Sequence, residues 1–331
     1  MFVEKENNLN ESNSPAEKAC RKALADAGFA FGVPVSFHWS QLINPNGDKQ
    51  AAIEAYQTLL DQEQDNKSSL EGLAYLHQLM GHQSHAQYFR RKLKEIEARE
   101  YGVNENEHAQ VVEYLLAKTG EAVMPTRVPG EFVSAHFDRY SDRFDASLVG
   151  NLEYKGPELI RQLVGSKITL QERNLRVLDL GCGTGLIGEA LQPFSSSLTG
   201  VDLSGLMLEK AAERACYAKL IKNDCLSFLE ENLDEFELVV ASDVLIYLGE
   251  LSSLFTLVRE RLGENGFFIF TVENTYDVDY KLSNTGRYQH SAGYIHSLAE
   301  KNNYQVLLEE QVELRKERDT TIDAKLYCLK V

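Results

Sequence analysis

Residues 177–188 read VLDLGCGTGLIG. An apolar run ending at Leu180 gives way to Gly181, Gly183 and Gly185, and Gly188 follows three residues later. The pattern is that of a buried strand, a tight loop and the start of a helix. Gly183 to Gly188 is a literal G-x-G-x-x-G, the spacing that cradles a dinucleotide pyrophosphate. Taken alone the match is weak, because any ligand at the carboxyl end of the first strand of a doubly wound sheet needs glycines there.

The rest of the chain supports that kind of sheet. From residue 175 onward, apolar strand-like runs alternate with helical stretches. Candidate strands are 175–180, 198–202, 218–222, 236–242, 267–273, 305–314 and 325–330. Alternation of this kind predicts an α/β fold with a Rossmann-like, mostly parallel seven-stranded sheet covered on both faces. The last two strands have no helix between them. They are joined by Lys316–Thr321 and read as a terminal antiparallel hairpin.

The first part of the chain is helical in pattern. Ser14-Pro15 is an N-cap and N1 pair, and Gly28 is a stop. Residues 33–46, with Pro34 and Pro45, are less regular. A repeat then appears at a spacing of 34 residues: Gly47, Ala52 and Leu59 align with Gly81, Ala86 and Leu93. That period resembles a tetratricopeptide (TPR) repeat. Gln64 stands where the usual proline would be, and plain antiparallel helical hairpins remain the alternative. A further helix is expected near 105–119. The stretch 120–131, GEAVMPTRVPGE, has two prolines and two glycines and reads as a linker. The expected organisation is a helical, TPR-like domain over 1–120, a linker over 121–131 and the α/β domain over 132–331. Phe137, Tyr140, Phe144 and Leu148 recur at helical spacing and suggest a leading helix before the sheet.

Composition narrows the function. The 331 residues carry a formal charge of −16, about −5 of it on residues 1–120 and −11 on the remainder. Neither part is basic, so nucleic acid is a poor partner. The polar N-terminus has no signal-peptide core, and no apolar run approaches a membrane span. Five cysteines, odd in number and without a C-x-x-C pair, fit a reduced, cytoplasmic protein.

The ligand of the glycine loop is argued from its acids. Asp202 ends the second strand, the usual position for a carboxylate that accepts both ribose hydroxyls. Asp179 lies two residues before Gly181. A carboxylate beside a pyrophosphate costs about 1–4 kcal/mol per close pair, whereas one beside an ammonium gains a similar amount. S-adenosylmethionine (SAM) has a ribose, an adenine, an ammonium and a sulfonium, and no phosphate. An acidic rim fits it.

Val177 to Gly185, with Asp179 and three glycines, resembles the first motif of class I SAM-dependent methyltransferases. Val201-Asp202-Leu203-Ser204 is similar to the second motif, Lys222-Asn223-Asp224-Cys225 to the adenine-binding turn, and Ser242-Asp243 through Tyr247 to the segment beneath the methyl group. The resemblance covers about residues 130–331. With the helical repeats in front, RYSDRFD at 139–145 and GRYQH at 286–290, the chain resembles the TPR-containing bacterial methyltransferases. The resemblance implies the following roles. Gly181, Cys182, Gly183 and Gly185 form the floor under the SAM amino acid tail. Asp179 faces its ammonium, directly or through water. Asp202 binds the ribose and Leu203 packs on adenine. Asp224 accepts from the adenine amino group, with Cys225 alongside. Tyr140 closes over the site from the leading helix, or is a plain hydrophobic anchor.

Methyl transfer from a sulfonium is an in-line displacement with an activated leaving group, so alignment supplies most of the acceleration. A general base is needed only when the acceptor must lose a proton. Asp243, Tyr247 and His290 are the candidates. Asp243 is more often a residue that holds the cofactor, and the alternatives for Tyr247 and His290 are a core residue and a cap of the helix that runs to about 302. The fourth strand does not end in the Asn/Asp-Pro-Pro-Tyr/Phe segment of exocyclic amine methylation, and no Pro-Cys pair is present for cytosine C5. The expected acceptor is a small molecule. The alternatives are a protein docked on the repeats, self-association through them, or an NAD-dependent dehydrogenase. His77, His82 and His85 straddle the turn at Gly81 without a carboxylate or thiol nearby, so no metal is expected.

Overall fold

The computed structural model describes residues 14–27, 47–141, 153–167, 174–317 and 320–331. The segment before Ser14, the stretch 33–46, the stop at Gly28, Phe144 and Leu148 lie outside the described residues. The chain divides into two compact units, one ending at Leu116 and one spanning Ala117–Val331.

The first unit contains helices α1 (Pro15–Asp26), α2 (Lys49–Gln62), α3 (Lys67–Leu79) and α4 (Gln83–Glu100), and most of α5 (Glu105–Ala117). Side chains at three of the starts satisfy the orphan amides of the first turn. Ser14 accepts from Glu17 N, Asp48 from Ala51 N and Asn66 from Ser69 N. One stripe of each helix is apolar and buried, as in Ala52, Tyr56 and Leu59 of α2 and Ala86, Phe89, Leu93 and Ile96 of α4. A Cβ at Gly72 of α3 would lie 2.4 Å from the Tyr56 ring, so these two helices cross closely only because that residue is glycine. α2 and α4 begin 34 residues apart, whereas α3 and α5 begin 38 apart. The rings of His77, His82 and His85 cluster at the α3–α4 turn, with centroids 4.9–6.1 Å apart.

The second unit is α/β. Helix α6 (Gly130–Tyr140) and α7 (Gly156–Lys167) precede the sheet. Then β1 (Leu175–Leu180), β2 (Ser195–Asp202), β3 (Lys219–Lys222), β4 (Phe236–Ala241) and β5 (Leu262–Asn274) alternate with α8 (Leu186–Leu191), α9 (Gly205–Glu213), α10 (Cys225–Glu231) and α11 (Ser252–Arg261). The parallel order is β3-β2-β1-β4-β5. After α12 (Ala292–Lys301), β8 (Gln305–Glu317) and β9 (Thr320–Lys330) form a hairpin, and β9 runs antiparallel on β5. All seven expected strands occur. Two more, β6 (Tyr280–Leu282) and β7 (Tyr288–His290), form a small hairpin whose β7 meets the end of β5 at Glu273 and Asn274. Three residues each, they are too short to show a period of two, and among the described residues the sheet has nine strands where seven were anticipated.

The central strands are buried on both faces, as parallel strands under helices are. Leu178, Val239, Phe268 and Phe270 enter one core with Phe255 and Leu298, while Val177, Leu238, Val240 and Ile269 enter the other with Ile160 and Leu191. Neighbouring residues thus serve opposite cores. A one-residue slip would exchange them all, so the register is firmly specified. The stretch 121–131 is bonded to this unit. Thr126 O accepts from Gly249 N and Glu250 N, Val128 N donates to Tyr247 O, and Tyr288 Oη donates to Pro125 O.

Candidate functional site

The site lies at the carboxyl end of the parallel strands. Gly181, Gly183 and Gly185 have φ of 67°, 53° and 87°, the left-handed region that an L side chain avoids. At Gly181 a Cβ would also lie 2.3 Å from Val244 Cγ2. Gly188, the last glycine of the quoted stretch, serves packing. A Cβ there would lie 2.3 Å from the Tyr217 ring.

Asp202, at the end of β2, ties the loop together. Its Oδ2 accepts from Gly183 N at 2.8 Å and its Oδ1 from Ser204 N at 2.8 Å. Burial pushes its carboxyl up, and these backbone donors pull the other way. Asp224 caps α10 by accepting from Leu226 N and Ser227 N, and it pairs with Arg127 at 3.1 Å. Ser204 caps α9 and donates to Asp138 of α6, while Ser134 of α6 donates to Leu203 O. Those two bonds dock α6 over the β2–α9 turn.

One cleft gathers most of the residues singled out in the sequence. Tyr140, Gly181, Cys182, Gly183, Asp202, Leu203, Asp224, Cys225, Asp243 and Tyr247 line it. Gly185 lies one step behind as the N-cap of α8. Two residues stand apart from the lining. Asp179 is 1% exposed and accepts from Tyr217 Oη at 2.6 Å. Burial pushes its carboxyl up to about 7, the Tyr217 bond opposes this, and Asp202 adds to it. His290 is fully buried in β7 and its Nε2 bonds Gly249 O at 3.0 Å. Burial brings its imidazole down to about 4.

The cleft also holds residues the sequence reading missed. His136 and Phe137 of α6, Tyr154, Arg287 and Arg315 all line it. Tyr154 Oη bonds Ser242 Oγ at 2.8 Å. The Arg315 Nε donates to both oxygens of Asp243, at 2.9 and 3.2 Å, and its Nη2 donates to buried Glu273 at 2.5 Å. Asp243 has φ of 58° and donates its N–H to Thr271 Oγ1. The quoted GRYQH contained Arg287, just before β7, but nothing local marked it as buried. Arg315 was hidden in a charged run that read as the approach to a turn.

This arrangement is a Rossmann-like α/β sheet, with a glycine loop after β1 and an acid at the end of β2. Part of the chain is similar to known methyltransferases. Residues 178–268 match the model of a methyltransferase domain family. A putative methyltransferase of Geobacillus sp. strain WCH70 is 33% identical over 115 residues, 32% of this chain and 45% of that protein. The ubiquinone biosynthesis O-methyltransferase of Pasteurella multocida is 27% identical over 112 residues, 30% of this chain and 46% of that protein. The malonyl-[acyl-carrier protein] O-methyltransferase of Chlorobium phaeovibrioides is 36% identical over 110 residues, 30% of this chain and 41% of that protein. The chain thus spans less than half the length of these curated relatives. Among solved structures, the N-methyltransferase NodS of Bradyrhizobium japonicum aligns with a TM-score of 0.47 at 17% identity, covering 60% of this chain and 97% of that one.

Proposed function

We propose that the protein is a SAM-dependent methyltransferase that transfers a methyl group to a small-molecule acceptor by in-line displacement. The observation that carries this reading is the bond from Gly183 N to Asp202. In a dinucleotide site the loop amides face a pyrophosphate. Here the central amide is already taken by a carboxylate, whose charge would repel one. That carboxylate and the apolar side chains of Leu203 and Met207 suit a ribose and an adenine.

The glycine loop then supports the amino acid tail, Asp202 the ribose, and Asp224 with Cys225 the adenine edge. Asp179, engaged by Tyr217, lies buried below the loop at the end of β1. Tyr140 and Phe137 of α6 cover the cleft. The relatives named for ubiquinone biosynthesis support a small organic acceptor. The five cysteines are all free, which supports a reducing, cytoplasmic setting. Among the described residues no helix is long and apolar enough to cross a membrane. The helical unit is read as TPR-like from the 34-residue offset of α2 and α4. Its role is docking of a protein partner or self-association.

Calorimetry tests the reading. The expected result is that SAM binds the wild-type chain and NADH does not. Binding of NADH with SAM ignored would replace the proposal with a dehydrogenase.

A further inference from the structure

Asp224 is held by one of its two carboxylate oxygens. As the cap of α10, its Oδ1 accepts from Leu226 N at 3.1 Å and Ser227 N at 3.2 Å, with Ser227 Oγ at 3.5 Å. The same oxygen accepts from Arg127 Nη1 at 3.1 Å. Among the described residues no donor reaches Oδ2. Asp224 and Arg127 both line the cleft, and with side chains 22% and 46% exposed they stand at its rim. An ion pair so open to water adds little to folding stability. Its consequence is geometric, because donors from two separate parts of the chain meet on one oxygen and leave the carboxylate little freedom to turn.

The backbone around Arg127 is anchored independently of α10. Arg127 is bridged to Leu248, Val128 N donates to Tyr247 O, and Thr126 O accepts from Gly249 N and Glu250 N. The guanidinium thus reaches Asp224 from a segment fastened to the loop after β4.

The position of Asp224 indicates what its open oxygen meets. The glycine loop follows β1, Asp202 ends β2 and Asp224 follows β3, and these strands are neighbours in the order β3-β2-β1. Asp202 is in register with Lys222, two residues before Asp224. A nucleoside with its tail on the glycine loop and its ribose on Asp202 directs its base towards Asp224. The adenine edge offers an amino group, which donates, beside a ring nitrogen, which accepts.

We propose that Arg127 is a positioning residue that sets the base specificity of the cofactor site. By pinning Asp224 through Oδ1, it holds Oδ2 where an amino-bearing purine donates to it. The inference rests on the methyl-donor reading above. In the 6-oxo analogue a carbonyl replaces the amino group and the ring nitrogen carries a hydrogen. A pinned Oδ2 then faces a carbonyl oxygen, whereas a carboxylate free to turn can move to the ring N–H. A site built around one hydrogen-bond pattern rejects the ligand that lacks it, because its own polar group is left unpaired.

The test measures Kd by calorimetry on the full chain for S-adenosylhomocysteine and for S-inosylhomocysteine, its 6-oxo analogue. The wild type should prefer the adenosyl compound about tenfold or more. Arg127→Met, which keeps the apolar stem and loses the charge, should narrow that preference about threefold or more, chiefly through weaker binding of the adenosyl compound. Arg127→Lys, which restores a donor for Oδ1, should recover part of the preference. If Arg127→Met fails to fold, Arg127→Gln is read in the same way. Equal weakening of both compounds would show that Arg127 only covers the base and would overturn the proposal. An unchanged preference in Arg127→Met, or a wild type that binds both compounds equally, overturns it too. Failure of the wild type to bind either compound would overturn the methyl-donor reading instead.

Discussion

Single residues decide the ligand loop. Asp202 joins Gly183 to Ser204 and lines the cleft, so its removal loosens the loop and deletes a charged acceptor together. Asp202→Ala should weaken SAM binding by about 1.4–2.7 kcal/mol, a ten- to hundredfold rise in Kd by calorimetry. Gly181→Ala adds a methyl 2.3 Å from Val244 at a φ of 67°. The left-handed backbone and the overlap together should cost about 2–4 kcal/mol, seen as a lower urea midpoint with an unchanged slope. Asp179 gives a pH signature. Its folded value of about 7 lies above the unfolded one, so the native state binds the extra proton between roughly pH 4 and 7. This contribution is fully present below that window and is lost as the pH rises through it. Asp179→Asn removes the buried charge while leaving an acceptor for Tyr217. Relative to wild type it should be more stable at pH 8 by a few kcal/mol, and the gap should close towards pH 4 in urea unfolding. A gap independent of pH would contradict the buried-charge account. The glycines, Asp202 and Asp224 were legible because loops after strands need those residue types. Arg287 and Arg315 were not, since a guanidinium buried by distant partners carries no local pattern.

At the scale of elements, the site depends on how α6 and α9 are held. Ser204 caps α9 through Met207 N and reaches Asp138 of α6. Ser204→Ala should cost about 1–2 kcal/mol in thermal or urea unfolding, at the upper end of a cap because the α6 contact is lost as well. The long strands and the helices between them followed from their periodicity. The β6–β7 hairpin did not. It is too short to show a period, and it forms because the end of β5 extends to Asn274 and offers Glu273 and Asn274 as partners. The stretch 121–131 has the prolines and glycines of a linker. Its backbone groups nonetheless bond Tyr247, Gly249 and Glu250, and Arg127 pairs with Asp224. Turn-rich composition signals irregular backbone, and it does not distinguish a free tether from a strap.

At the scale of the whole molecule, each unit has its own core. Leu24, Tyr56, Leu59 and Leu73 belong to the helical unit, and two clusters flank the sheet of the other. A fragment comprising residues 117–331 should therefore fold cooperatively and bind SAM within about twofold of the full chain. Loss of SAM binding in a folded fragment would show that the helical unit completes the site. The sequence by itself determined the α/β class, the order of the long strands, the glycine loop and the acids at the ends of β2 and β3. Those features are written in local periodicity and in backbone conformations that only certain residues adopt. The tertiary structure alone decided that Asp179 turns to Tyr217, that His290 lies away from the cleft, and that Arg287, Arg315, Glu273 and Asp243 meet. Pairing of buried charges depends on which distant strands the packed sheet brings together, and residues as far apart as 243 and 315 share no local signal.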